Sequence, residues 1–269
     1  MPARTIVLHI VSVLMLVVCT SASAFAQPKR IRVAAASDLQ AAMPEIAKAF
    51  EAKTGITVEL IFGSSGNFFS QIQNGAPFDL FFSADSEFPA NLIQSGRAEP
   101  RSAVVYGVGS LVLWMPPSAI CDPQAEKWNC LLKPQVSRIA IANPAHAPYG
   151  RAAVSALQSA HIYKQVLSKL VFGENISQAA QFAQSGNAQA GILAYSLAHS
   201  SAMREGKLWD IPLDSYPPIE QTVVVLKAAK EKSAARDFVL FVTEGPGHAL
   251  LAQFSLRPAS AQTPAGRHK

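Results

Sequence analysis

Four residues stand where donors could converge on one small anion: Ser37, Ser65, Tyr149 and Ile176. Each lies at or near a predicted helix start, where the first N–H groups have no intrahelical acceptor. Ser37 and Ser65 add a hydroxyl. None of these turns places a cationic side chain at its centre, apart from Arg151 just inside one. Neutral donors and helix ends can still hold a dianion. Such a set favours a ligand that needs no acceptor for a proton of its own, hence a fully ionised tetrahedral oxyanion. The bland alternative for Ser37 is an N-cap, with Gln40 completing a capping box.

The elements that must position these residues alternate between strand and helix. Ile31–Ala36 is a short apolar run with one charge, Arg32, which suits a strand buried on both faces. Leu39, Ala42, Met43, Ile46, Ala47 and Phe50 follow at helical spacing, and Pro44 requires the helix either to kink there or to begin its regular part there. Thr57–Phe62 reads as a second strand, ending in Gly63-Ser64-Ser65-Gly66 before another helix. Phe78–Ser83, Leu111–Met115, Arg138–Ala142, Lys169–Phe172, Ala190–Tyr195 and Thr222–Leu226 read as further strands. Helices are expected near 87–94, from about Arg151, from Ile176, over 196–203 and in two stretches between Ser233 and Phe254. This rhythm predicts a doubly wound α/β architecture. Leu111–Met115 and Thr222–Leu226 are the candidates to cross between two lobes, leaving a cleft lined by strand-to-helix turns.

The chain has 269 residues, of which 49% are hydrophobic and 15% charged, enough for one or two substantial cores. The net charge of +5 is scattered, with no basic run interleaved with aromatics, so nucleic-acid binding is not expected. Met1–Ala26 has the parts of a cleaved export signal: Arg4, an apolar run from Ile6 to Cys19, and Ala24-Phe25-Ala26 before Gln27. A lipoprotein anchor at Cys19 is the rival, weakened by Val18 where a small residue is expected. The exported product therefore keeps Cys121 and Cys130, and an oxidising compartment favours a disulfide between them over two free thiols. Two cysteines with no adjacent histidine are too few for a zinc site.

Enzyme chemistry finds little support. Gly63-Ser64-Ser65-Gly66 lacks the spacing of a nucleophile elbow, no phosphate-binding loop occurs, and Gly107-x-Gly109 lacks the rest of a dinucleotide fingerprint. His146 sits in a proline-rich turn and reads as structural. Asp79 and Asp85 flank a strand without a second acid at helical spacing.

The segments Ala34-Ala35-Ala36-Ser37, Phe62-Gly63-Ser64-Ser65-Gly66, Gly75 to Asp85 (GAPFDLFFSAD) and Asn143 to Gly150 (NPAHAPYG) resemble the periplasmic molybdate-binding proteins of ABC importers. Glu174-Asn175-Ile176 and Gly191-Ile192-Leu193 fit in the same order. The resemblance spans Gln27 to Pro258. It implies a two-lobed periplasmic-binding-protein fold, each lobe a doubly wound, mostly parallel sheet, closing on molybdate or tungstate and delivering it to a membrane permease. The division it implies is 27–107 for the first lobe, 108–221 for the second and 222–258 for the return, with 1–26 cleaved and 259–269 a flexible tail. It further implies a monomeric periplasmic receptor with no cofactor beyond the transported anion, no metal bound directly and no catalysis. Carried over motif by motif, the hydroxyl and N–H donors fall on Ser37 and Ser65, and N–H donors fall on Tyr149 and Ile176. Asp38 can add its own N–H, with its carboxylate expected to point away from the ligand. The family's tyrosine after Gly-Ile-Val has no counterpart in register: Ala194 occupies its place and Tyr195 comes one residue late, so Tyr195 is not expected to reach the ligand. A receptor for another oxyanion such as sulfate, and an exported enzyme holding a phosphorylated substrate, remain the alternatives.

Overall fold

The computed structural model describes residues 29–254; the expected export signal and the polar tail lie outside the described residues. Two five-stranded sheets form, each flanked by helices. The first contains β1 (Arg30–Ala36), β2 (Thr57–Gly63), β3 (Leu80–Ser83), β4 (Val104–Gly109) and β10 (Ile219–Val225), in the order β2-β1-β3-β10-β4. The second contains β5 (Leu111–Met115), β6 (Ile139–Ala142), β7 (Leu170–Gly173), β8 (Ala190–Ala194) and β9 (Lys207–Asp210), in the order β7-β6-β8-β5-β9. In each sheet one strand runs against the rest, β10 in the first and β5 in the second. These reversed strands are the ones that follow the two passages between lobes.

The first lobe is organised on β1. Ile31, Val33 and Ala35 pack on one side with Met43, Ile46, Phe50 and Phe238, while Ala34 packs on the other with Phe68, Phe81 and Val224. Side chains alternate across a strand, so apolar residues at every position fill two cores at once. Ala36, the last residue of β1, already belongs to the core of the second lobe, with Leu111, Ala147 and Tyr149. Phe50 anchors the first core edge-on to Phe238 at 5.0 Å and Phe241 at 5.4 Å. A fully buried side chain of this size contributes roughly 1.5–3 kcal/mol.

Several expectations are corrected by the coordinates. Ser37 is not an N-cap: it opens a 3₁₀ turn, Ser37–Gln40, and the regular helix α1 runs from Met43 to Thr54 with Pro44 in its first turn. Pro44 thus marks a helix start rather than a kink, as suits a residue without an N–H. The chain crosses between lobes at Ser110, so Leu111–Met115 lies wholly in the second sheet, and the return strand begins three residues before Thr222 at Ile219. β4 and β9 were not legible, and the loop between the cysteines contains two one-turn helices, Pro123–Glu126 and Asn129–Leu132. The remaining helices are α2 (Ser65–Gln73), α3 (Glu87–Gln94), α4 (Pro148–Ser159), α5 (Ile176–Gln184), α6 (Tyr195–Ala198), α7 (Lys232–Thr243) and α8 (Pro246–Gln253), besides the single turn Tyr163–Val166. Among the described residues no helix is long and apolar enough to cross a membrane.

Cys121 and Cys130 are joined, with Cα atoms 5.7 Å apart and nine residues between them in sequence. They lie in the core of the second lobe, away from the turns discussed below. Chain-entropy arguments put the stabilisation from so short a loop at about 2–3 kcal/mol. Intact-mass analysis of freshly exported protein should show no free thiol, and reduction should lower the unfolding midpoint while leaving ligand binding in place. Two free thiols in that protein would refute the bond.

Candidate functional site

Ser37, Asp38, Ser64, Ser65, Tyr149 and Ile176 are all buried and line one narrow cleft between the lobes. Its volume is about 10 Å³, the scale of one very small species. The five residues proposed from sequence as donors are therefore brought together: Ser37, Asp38 and Ser65 from the first lobe, Tyr149 and Ile176 from the second. Ser65, Tyr149 and Ile176 lie in the first turns of α2, α4 and α5, whose N–H groups include donors without intrahelical acceptors. None of these three helices has an acidic residue in its first turn, whereas α1 has Glu45 and α3 has Glu87. The positive ends of three helix dipoles thus face the cleft uncompensated.

Both serine hydroxyls are held as acceptors by the protein. Ser65 Oγ accepts from the Ala84 amide at 3.0 Å, and Ser37 Oγ accepts from the Ser177 amide of the opposite lobe at 3.4 Å. Neither hydroxyl donates to a protein acceptor among the described residues, so each keeps its proton for a guest. Around the cleft the lobes are bonded to each other. The Ser177 hydroxyl is shared between Ser37 O at 2.9 Å and Gln40 Oε1 at 2.6 Å. His146 O accepts from the Gly66 amide at 2.9 Å and from Ser64 Oγ at 2.7 Å, while its Nδ1 lies 2.9 Å from the same hydroxyl. A side chain at Gly66 would place Cβ 2.6 Å from that carbonyl, which explains the glycine. Asn67 donates to Glu174, and Arg151 reaches Asp85 at 2.6 Å. His146 accordingly has a structural role, joining the lobes.

The carboxylate of Asp38 is turned into a buried triad. Its Oδ2 accepts from the Tyr149 hydroxyl at 3.1 Å and from the side-chain amide of Gln221, which also donates to the Tyr149 oxygen at 2.9 Å. Oδ1 has no partner, and neither has Oε1 of Gln221. Burial raises the Asp38 carboxyl to about 6, against the pull of the Gln221 and Tyr149 hydrogen bonds. The Tyr149 phenol is pushed well above its ordinary value by burial and by the neighbouring carboxylate. Ser196 Oγ completes the junction by donating to Asp38 O at 2.9 Å. Gln221, Ser196, Ser177 and Ser64 were missed in the sequence. Only Gln221 carried a usable signal, as an uncharged polar residue beside an apolar β run.

Tyr195 lies outside the cleft lining. It is not the last residue of a strand but the first of α6, and its ring stacks on His199 with centroids 3.7 Å apart. Asp79 is structural: its two oxygens accept from the Arg32 amide at 2.7 Å and the Lys230 amide at 2.8 Å. A larger depression of about 400 Å³ opens between Asp85, Glu87, Arg151 and Glu220. Its acids outnumber its cation, which Asp85 already holds, so it does not suit an anion. Cys121, Glu126 and Cys130 approach one another, but the thiols are spent in the disulfide and Glu126 pairs with Lys133 at 2.8 Å.

Two α/β lobes joined by two passages, with helix N-termini from both converging on a small cleft, define a two-lobed solute-binding protein. The chain belongs to the family described as bacterial extracellular solute-binding protein, whose profile matches residues 31–257. It is 42% identical over 198 residues to the molybdate-binding protein ModA of Rhodobacter capsulatus, covering 74% of this chain and 76% of that protein. To ModA of Azotobacter vinelandii it is 40% identical over 222 residues, 82% and 86% of the two. The solved structure of the periplasmic molybdate-binding protein of Azotobacter vinelandii superposes with a TM-score of 0.78 at 31% identity, over 84% of this chain and 98% of that one. The sulfate-binding protein SubI of Mycobacterium tuberculosis, with a TM-score of 0.70 at 18% identity over 86% and 87% of the chains, shares the fold alone.

Two outcomes follow from this geometry. Between about pH 4 and 6 the folded protein holds a proton on Asp38 that the unfolded chain has released, so this group's contribution to stability falls as pH rises through that window. The difference in unfolding free energy between Asp38→Asn and the unsubstituted, ligand-free protein should therefore grow by about 2–3 kcal/mol in favour of the variant from pH 4 to pH 7. A constant difference in denaturant titrations would show that the carboxyl titrates normally. Separately, Tyr195→Phe should change oxyanion affinity by less than about threefold; a tenfold loss at unchanged stability would place the phenol in the site.

Proposed function

We propose that this protein is the periplasmic receptor of an ABC importer for molybdate, with tungstate as an equivalent ligand. It captures the tetrahedral dianion through Ser37, Asp38, Ser65, Tyr149 and Ile176. The observation that carries the reading is the pair of serine hydroxyls, each fixed as an acceptor by a backbone amide and each with its proton unspent, facing helix N-termini from the opposite lobe. Ser37 and Ser65 offer hydroxyl and N–H donors, Tyr149 and Ile176 offer N–H groups, and Asp38 offers the N–H of its 3₁₀ turn. The molybdate-binding relatives support the choice of anion.

No nucleophile–base pair lines the cleft among the described residues, so the reading is one of binding without catalysis or resident cofactor. The bound anion is cargo, held through its oxygens and passed to a membrane permease by a monomeric receptor. Selection against sulfate rests on the size of the cleft, and selection against phosphate on the lack of a free acceptor for the ligand's proton, apart from Asp38.

Calorimetric titration of the mature protein should give one site for molybdate and for tungstate, far tighter than for sulfate or phosphate. Equal affinity for sulfate would replace this assignment with a general oxyanion receptor, and turnover of phosphate esters would replace it with an enzyme. Ser37→Ala and Ser65→Ala should each weaken molybdate by about one to two powers of ten, since each deletes a donor to a charged acceptor worth about 1.5–3 kcal/mol. Unchanged affinity in both variants would remove these hydroxyls from the site.

A further inference from the structure

A dianion admitted to this cleft meets a carboxyl group already buried there. Asp38 is 1% exposed and lines the same space as Ser37 and Ser65. Its oxygens are unequal. Oδ2 receives the Tyr149 hydroxyl and the Gln221 amide, whereas Oδ1 receives nothing. A buried carboxylate is normally paired with a cation or fully hydrogen-bonded, and this one is neither.

The ionisable groups around it supply no positive charge. The phenols Tyr149, Tyr106 and Tyr216 and the carboxyl of Asp85 are its electrostatic neighbours, and Arg151 is committed to Asp85. Of the helices packed on its turn, α5 has no ionisable side chain and α6 has only Tyr195, while those of α1 are exposed. Arg30, Arg32 and Glu59 pair with one another at the far end of β1 and β2. Glu174 and His146, near α5 and α4, face each other at 3.8 Å.

We propose that Asp38 makes anion capture proton-linked: binding of molybdate draws one proton from water onto Oδ1, and the acid form of Asp38 is the form that accompanies the bound anion. The inference rests on the reading of this cleft as a dianion site. The step is a simple uptake, one O–H bond formed on Oδ1 from a solvent proton, with no other bond broken. It removes the repulsion between like charges in a space with little room for screening water, and converts the orphan acceptor into a donor. That donor can serve the guest or Oε1 of Gln221, the other buried acceptor without a partner. Because burial already brings this carboxyl to about 6, the uptake lies within reach of neutral pH. Asp38 is thereby a specificity residue as well. A fully ionised oxyanion must take its proton from water, whereas hydrogen phosphate brings one, so preference for molybdate over phosphate should narrow as pH rises.

The test is titration of the mature, unsubstituted protein with sodium molybdate at pH 7.5 in two buffers of different ionisation enthalpy. An uptake of about one proton per anion is expected, with the dissociation constant rising about tenfold per pH unit from pH 7 to 8.5. In Asp38→Asn, which keeps the shape without the charge, uptake should vanish, the constant should become flat, and affinity at pH 8 should exceed that of the unsubstituted protein by about a hundredfold. If that variant does not fold, infrared difference spectra of the unsubstituted protein should show a neutral carboxyl band appearing with molybdate. Tight, pH-independent binding without proton uptake would overturn the linkage while leaving the assigned ligand standing. Uptake that survives in Asp38→Asn would move it to another group and overturn the role of Asp38. Failure to bind molybdate at any pH would overturn the functional reading, and this inference with it.

Discussion

The junction of the lobes is built around one costly group, the buried carboxyl of Asp38. Removing an ionised carboxylate from water costs several kcal/mol even after relaxation, and here the compensation comes from two neutral donors, Tyr149 and Gln221. The three residues come from three different passages of the chain: the end of β1, the start of α4 and the return strand β10. Their mutual hydrogen bonds therefore fix how the lobes meet. Gly109 is part of the same constraint, because a Cβ there would fall 2.9 Å from Cζ of Tyr149 and 3.1 Å from Nε2 of Gln221. With the Tyr149 phenol pinned in this way, the first turn of α4 is pinned too, and its N–H groups are presented to the cleft. The site's geometry is thus inherited from a hydrogen-bonded triad behind it.

That arrangement also explains why the cleft works without cations. An arginine would bind any oxyanion strongly, protonated or not, since its attraction is set by charge. Hydroxyls and helix N–H groups act over hydrogen-bond distances and reward only an acceptor oxygen at the right place. The backbone amides of Ala84 and Ser177 occupy acceptor positions on Ser65 and Ser37, which orients the remaining O–H. Preorganisation of this kind cuts the entropy lost on binding, which otherwise consumes much of the gain from each bond.

The sequence carried the strand-to-helix turns clearly because they are local. Apolar runs such as Ile31–Ala36 and Leu80–Ser83 end at small polar residues, and the donors sit at those ends. What it could not carry were choices decided by distant partners. Ser37 has the residue type and spacing of a cap, yet its hydroxyl is recruited by Ser177, 140 positions away. Tyr195 continues an apolar run and so reads as strand, but pairing in β8 stops at Ala194 and the tyrosine opens a helix. β9 alternates charged and apolar residues at a sheet edge, a pattern too short to separate from a turn. Gln221 lies within a strand whose pairing shifts beside it, between Gln221 and Thr222, and only the folded chain reveals that it faces Asp38.

Closure and binding are then coupled by how the interlobe bonds are distributed. On the rim, Arg151 and Asp85 are 38% and 15% exposed and Glu174 is 56% exposed, so solvent screens these pairs and each is worth at most about 1 kcal/mol. Latches of that strength bring the lobes together without locking them. The donors on α2, α4 and α5 converge only when the lobes are closed, so an anion bound between them adds differential affinity for the closed state, which is the only way a ligand can shift such an equilibrium. Its apparent affinity is its intrinsic affinity multiplied by the closed fraction already present. Weak rim pairs and a well-bonded hinge triad keep that fraction appreciable while leaving the anion as the element that decides it, and they allow the lobes to part again when the cargo must be released.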